Sequence, residues 1–228
     1  MKQCNSWLLP EWDTHFEQML NNSSDDTYQK PQRDLALKHT PDRNRVIDIG
    51  ANVGFWSRDF IRQFNAVEAF EPMRENRICW AKNVDSDWYN WNLYPFALSD
   101  RPGKQRFYWD PNCCGNAGLS SEGVIQGPKE ADRPTKLLDS EVEVRTLDSF
   151  NFNLVSLIKI DCQGLELEIL KGGYNTIKAE LPTLCLELPR RTPMETQEYN
   201  TVKTWLEQFK YKNVATHGKD TIWVSTQN

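Results

Sequence analysis

The 228 residues are 26% charged and carry a formal charge of −5, enough chain for one α/β domain with a substantial core and a well-solvated surface. No strong basic field points to duplex nucleic acid, no apolar run approaches a membrane span, and the first residues lack the basic-then-apolar build of a secretory signal. The six cysteines (Cys4, Cys79, Cys113, Cys114, Cys162 and Cys185) contain no C-x-x-C pair and are joined by only three histidines. That predicts no metal site, and core thiols in a reducing, cytoplasmic protein.

Residues 1–45 predict a helical leader or lid. Trp7, Leu8, Leu9, Trp12, Phe16, Met19 and Leu20 recur at roughly helical spacing. The polar cluster at 21–26 predicts a loop, and a second helix is expected over 31–38, ending before Pro41. Tyr28, Arg33 and His39 are the leader residues that could face a site.

Residues 46–54 organise the chain. An apolar β-branched run carries Asp48 ahead of Gly50, and Gly54 follows; Trp56, Phe60, Ile61 and Phe64 then recur at helical spacing. Strand, glycine turn and helix open a nucleotide-binding βαβ unit. Gly50 can take backbone angles closed to other residues and lets a ligand approach the main chain. N–H groups at the helix start would add donors. Ala51 and Asn52 stand where G-x-G-x-x-G needs another glycine, so the turn suits a pyrophosphate poorly. Asp48 suits an ammonium better. S-adenosylmethionine (SAM) has an ammonium, a cationic sulfonium and a ribose.

A second apolar run reaches Glu71 and Pro72 about 20 residues after the turn, where a carboxylate can accept both ribose hydroxyls. Glu68, inside the run, is the lesser candidate. A helix over 73–84, a break at 85–87 and a third parallel strand over 95–99 are expected next. Ala97, Leu98 and Ser99 then fall where an adenine would rest. Residues 104–109 alternate as a strand. Residues 110–140, rich in glycine and proline, predict a loop insertion that selects the acceptor, with Lys129, Arg133 and Lys136 adding positive charge.

A strand over 141–146 is expected to pair with 104–109. Residues 155–161 are almost continuously apolar, as in a buried parallel strand, with Lys159 and Asp161 on one face. A helix from 166 stops at Gly172 and Gly173, a short helix precedes Pro182, and a fifth core strand ends in Glu187. Thr192-Pro193-Met194-Glu195 has capping-box spacing, and its helix carries Val202, Trp205, Leu206 and Phe209 on one face. Strands over 211–216 and 221–225 close the sheet.

Taken together, D-I-G-A-N-V-G at 48–54, F-E-P at 70–72, F-A-L-S-D at 96–100, N-A-G-L-S-S at 116–121, R-T-L-D-S-F at 145–150 and I-K-I-D-C-Q-G-L-E at 158–166 are ordered as in a known family. Over roughly 46–190 the chain resembles the FkbM family of SAM-dependent methyltransferases. The resemblance implies a Rossmann-like class I fold: one domain over 46–228, a mostly parallel seven-stranded sheet with helices on both faces, and one antiparallel strand near the C-terminal end. It also implies a leader packed over the pocket, SAM as cofactor (S-adenosylhomocysteine as product), and methylation of a hydroxyl on a small molecule or sugar. The family usually carries Glu where Gln163 stands, so this chain lacks a negative charge there. The cofactor would meet Asp48, Gly50, Ala51, Asn52, Gly54, Glu71, Pro72, Ala97, Leu98 and Ser99. Asp161 is the expected proton acceptor and Glu187 the second choice. Lys159 would hold Asp161 ionised or steady charge on the acceptor oxygen. The alternatives are ribose or base methylation of nucleic acid, which the acidic charge disfavours, a silent SAM-binding module, a nicotinamide-dependent oxidoreductase, and a divalent cation held between two acids.

Overall fold

The computed structural model describes residues 1–22, 28–84, 89–125 and 136–227. The leader opens as a hairpin, β1 (Lys2–Cys4) and β2 (Trp7–Leu9), followed by α1 (His15–Asn21) and α2 (Lys30–Lys38). The helical spacing over Trp7, Leu8 and Leu9 was thus misleading. Asn5 takes a left-handed φ of 51° and turns Cys4 onto Trp7, and the alternation buries Trp7 and Leu9. The expected polar loop lies mostly outside the described residues.

The chain then runs through β3 (Arg45–Ile49), α3 (Ser57–Phe60), β4 (Ala66–Phe70), α4 (Arg74–Asn83) and β5 (Trp91–Tyr94). The helix expected after Gly54 is reduced to the single turn of α3, although Trp56, Phe60, Ile61 and Phe64 are all buried. Bulky aromatic side chains anchor the segment where helix propensity is poor. The third parallel strand is β5, not 95–99. Pro95, which has no N–H to give a ladder, separates β5 from β6 (Ala97–Leu98), and β6 joins a second sheet.

That second sheet has the order β6-β9-β7-β8, with β7 (Gly103–Asp110), β8 (Cys113–Gly118) and β9 (Leu138–Arg145). β7 and β9 pair antiparallel, as their alternation predicts. The expected 110–140 loop therefore contains a strand, β8, and a short helix, α5 (Ser121–Ile125). Its remaining stretch, 126–135, including Lys129 and Arg133, falls outside the described residues.

β10 (Val155–Ile160), α6 (Glu166–Gly172), α7 (Tyr174–Glu180), β11 (Thr183–Glu187), α8 (Pro193–Gln208), β12 (Tyr211–His217) and β13 (Asp220–Ser225) complete the chain. The main sheet has the order β12-β13-β11-β10-β3-β4-β5. β11 through β5 are parallel, and β13 runs antiparallel to both of its neighbours. α8 starts at the expected capping box, with Thr192 and Glu195 exchanging backbone-to-side-chain bonds of 3.1 and 3.2 Å.

Strand side chains alternate, so each strand feeds two cores. Val46, Leu157 and Cys185 point into one, which includes the leader and α4; Ile47, Ile49, Ile158, Ile160, Leu184 and Leu186 point into the other, beside α6–α8. Asp48 and Lys159 fall by the same alternation on the leader side, directly opposite each other in register. Among the described residues, no helix is long and apolar enough to cross a membrane.

Candidate active site

β3 is flanked by β4 on one side and β10 on the other, and the chain leaves it first toward β4 and returns later through β10. Open α/β sheets bind ligands outside the carboxyl ends of strands at such a reversal. A narrow slot of about 520 Å³, counted out to its mouth, lies there. The strand ends supply Ile49, Gly50, Asn52, Phe70, Glu71, Pro72, Asp161 and Cys162. The second sheet and its approach supply Phe96, Ala97, Leu98, Phe107, Cys114, Gly115, Ala117 and Gly118. Of the residues expected to bind a cofactor, Gly50, Asn52, Glu71, Pro72, Ala97 and Leu98 thus line one space, with Asp161 beside them.

The turn is shaped by close approach. Gly50 has φ +76°, and a Cβ there would sit 2.1 Å from the Asp161 carbonyl oxygen. Asn52 also takes a left-handed φ of 51°, which turns its N–H onto Glu71 Oε2 at 2.9 Å. Glu71 Oε1 accepts from the Met73 N–H at 2.8 Å. Each carboxylate oxygen therefore keeps a lone pair for another donor. Burial pushes the Glu71 pKa up to about 7, against the pull of these two amides and of Arg77. Glu68, by contrast, is taken up by Arg45, Asn92 and Tyr94 and lies outside the slot lining.

Other expected ligand residues serve the frame. Asp48 is fully buried, and its Oδ2 accepts from Ser57 Oγ at 2.6 Å. Its Oδ1 makes no hydrogen bond and meets the Lys159 ammonium at 3.3 Å. The expected face-to-face charge for a ligand ammonium is thus spent inside the protein. Ala51 donates its N–H to the Phe70 carbonyl, and Gly54 packs where a Cβ would lie 2.8 Å from Val84. Ser99 is held through its N–H to the Arg145 carbonyl at 3.0 Å. None of Asp48, Ala51, Gly54 and Ser99 lines the slot. The single turn of α3 begins three residues beyond Gly54, so it does not aim free N–H groups at the slot as expected.

Lys159 donates to the Gly50 carbonyl at 2.9 Å and lies 4.0 Å from Asp161, farther than from Asp48. Burial alone would lower its pKa, but Asp48 and then Asp161 reverse that and place it above the ordinary lysine value. Lys159 thus staples the glycine turn to the end of β3 through Asp48 and the Gly50 carbonyl.

A second polar group sits at the ends of β10 and β11. Gln163 donates to Asp161 Oδ1 at 3.3 Å and to Glu187 Oε2 at 3.1 Å, while Lys219 donates to Glu187 Oε1 at 2.9 Å. Burial, with Asp161 next, raises the Glu187 carboxyl well above the usual range. Burial and Asp161 also bring Asp220 up to about 7. Burial raises the Tyr28 hydroxyl, with Asp161 and Glu187 adding to it, while its ring packs against Phe16 and Phe55. Arg33 instead pairs with Asp59 at 2.7 Å, and the His39 carbonyl accepts from Thr183 at the opposite end of β11.

In the sequence Glu166 stands out only as the last residue of the I-K-I-D-C-Q-G-L-E motif. It is buried and gathers the N–H groups of Cys162 and Gly164 at 3.0 Å each, which fixes the turn that presents Asp161 and Gln163. Burial pushes its pKa up to about 8. The β8 wall was missed as well, although N-A-G-L-S-S at 116–121 marked the place. Asp13 ties the leader to that wall through bonds to the Phe16 and Cys114 N–H groups at 2.8 and 2.7 Å.

Residues 48–212 match the Methyltransferase FkbM domain. The chain belongs to the FkbM methyltransferase family. A curated relative, Methyltransferase 1 of Beauveria bassiana (strain ARSEF 2860), is 24% identical over 147 residues, 58% of this chain and 59% of that protein. The crystal structure of Methyltransferase FkbM from Methylobacillus flagellatus KT aligns with a TM-score of 0.55 at 16% identity, covering 79% of this chain and 43% of the other. An rRNA methylase from Streptococcus thermophilus aligns at TM-score 0.50 and 10% identity, over 87% and 96% of the two chains. The chain thus spans less than two thirds of the length of both the fungal relative and the bacterial FkbM structure. The solved structures agree with the class I methyltransferase fold expected from the motifs.

Proposed function

We propose that the chain is a SAM-dependent methyltransferase acting on a hydroxyl oxygen of a small molecule or sugar. The observation that carries this reading is Glu71, a buried carboxylate with open lone pairs at the end of β4, facing a slot whose other wall is apolar. Glu71 would take the ribose hydroxyls, Gly50 and Asn52 would lie along the cofactor, and Ala97 and Leu98 would pack against its base. SAM, when bound, supplies a methyl group already activated on a sulfonium. Asp161, in the same lining as Glu71, would accept the proton that the acceptor hydroxyl gives up. Glu187 would assist from behind it. The acidic surroundings of Asp161 favour a neutral hydroxyl over a phosphate-bearing acceptor.

A thermal-shift series tests this reading, because a ligand that binds only the folded state raises the melting temperature. SAM and S-adenosylhomocysteine should raise Tm and NAD should not. An equal shift with NAD, or none with SAM at millimolar concentration, overturns it.

A further inference from the structure

Gln163 is held in an unusual place. Its φ is +54° and that of Gly164 is +91°, a pair of left-handed angles that costs energy at the glutamine. Glu166 clamps the N–H groups on either side, and a Cβ on Gly123 would meet the Gln163 carbonyl oxygen at 2.1 Å. The turn is fixed from both sides, and what it delivers is one amide nitrogen between two carboxylates, 3.3 Å from Asp161 and 3.1 Å from Glu187. An NH₂ group has two hydrogens, one for each acid, and no charge to add.

We propose that Gln163 is a positioning residue that holds Asp161 and Glu187 side by side by giving one N–H to each, so that the two acids act as one coupled pair and Asp161 stays turned toward the acceptor. The assignment rests on the methyltransferase reading for its purpose but not for its geometry. Two carboxylates this close cannot both ionise cheaply, and one proton between them relieves the repulsion. Among the described residues, the charged and titratable groups around the pair include Lys159 on β10, Cys162 after it, Cys185 on β11, Lys219 ahead of β13, Asp220 on β13, Glu166 on α6 and Tyr28 from the leader. Lys159 is occupied by Asp48 and Gly50, and Lys219 touches only Glu187 of the pair. Gln163 is therefore the neutral link that touches both acids.

Carboxyl ¹³C NMR on the apo protein, with labelled Asp and Glu, reads the pair directly. In the wild type, Glu187 should titrate well above the usual carboxyl range. A Glu187 midpoint inside the usual carboxyl range overturns the proposal without any variant. Gln163→Leu, which removes both donors, and Gln163→Glu, which adds a third acid, should each move the Glu187 midpoint up by at least one pH unit. Unchanged midpoints in both variants also overturn it. SAM affinity, measured in parallel by calorimetry, should stay within about threefold in Gln163→Leu. Loss of SAM binding by the wild type itself would strike the proposed function and leave the titration result standing.

Discussion

The two acidic strand ends of the slot are built in opposite ways. At the end of β4, Glu71 is held by the main chain: both of its oxygens take backbone N–H groups, and the turn that offers one of them needs left-handed angles at Gly50 and Asn52. At the ends of β10 and β11, Asp161 and Glu187 are held by side chains, an amide from Gln163 and an ammonium from Lys219. A backbone-held acid can be neither retuned nor moved by a nearby substitution without refolding the turn. A side-chain-held pair can be retuned one residue at a time. That is the division expected if the first end reads an invariant ligand and the second reads a variable one.

The sharpest way to break this comparison is at the point where the two regions touch. Gly50→Ala would drive a Cβ into the Asp161 carbonyl at a φ of +76°. The expected loss exceeds about 4 kcal/mol, at the severe end of single substitutions. Denaturant unfolding should show little or no cooperative transition, and a well-folded variant would mean that the turn is not held by backbone contact.

Next in size is the pair beneath the turn. Lys159→Met leaves Asp48 fully buried without a counter-charge and should cost about 3–5 kcal/mol. Adding Asp48→Asn should recover a large part of that, since the uncompensated charge and not the missing lysine carries most of the loss. A double variant no better than the single one would show that Lys159 acts mainly through its bond to the Gly50 carbonyl.

The division of labour itself is tested by two conservative changes. Glu71→Gln should weaken SAM binding by about 10- to 100-fold, the worth of a charged hydrogen bond. Asp161→Asn should lower turnover by about 100-fold with SAM affinity within about threefold, the size of effect usual for a lost general base. If both variants fail in the same parameter, the two strand ends are not functionally distinct.

The pH dependence probes both strand ends without any substitution. Glu71 and Asp220 titrate at about 7 in the folded chain and Glu166 at about 8, all raised by burial from the ordinary carboxyl range. Between roughly pH 4 and 8 the folded state therefore binds more protons than the unfolded one, and stability falls as pH rises through that window. The melting temperature of the apo protein should be lower at pH 8 than at pH 5.5. SAM affinity should move the other way and tighten as Glu71 ionises through pH 7. A melting temperature that rises, or an affinity that falls, reverses the sign at one end and removes the contrast.

Much of this arrangement was legible in the sequence. The parallel strands announce themselves through unbroken apolar runs, and Glu71 and Asp161 through an acid at the end of each. Alternation put Lys159 and Asp161 on one face, but it could not reveal that Asp48, one strand away and in register, would claim the lysine first. Register between distant strands is not written in local pattern. The same limit hid β8, a strand made of two cysteines, two glycines, an asparagine and an alanine, which has no apolar rhythm of its own and exists because Asp13 and β7 hold its backbone. The leader hairpin was hidden for the converse reason. Its Trp7, Leu8 and Leu9 fit a helical period by coincidence, and the turn at Asn5 was the better signal.

The ring of Phe16 occupies the space that a side chain on residue 115 would need, 2.8 Å from where its Cβ would lie, and it packs edge-on against Tyr28. A Phe16→Ala change would keep Glu71, Asp161 and Glu187 and lose this plug. Space would then open beside Gly115 and Asn52, and the variant should hold a nucleoside in the slot more loosely while its sheet stays intact.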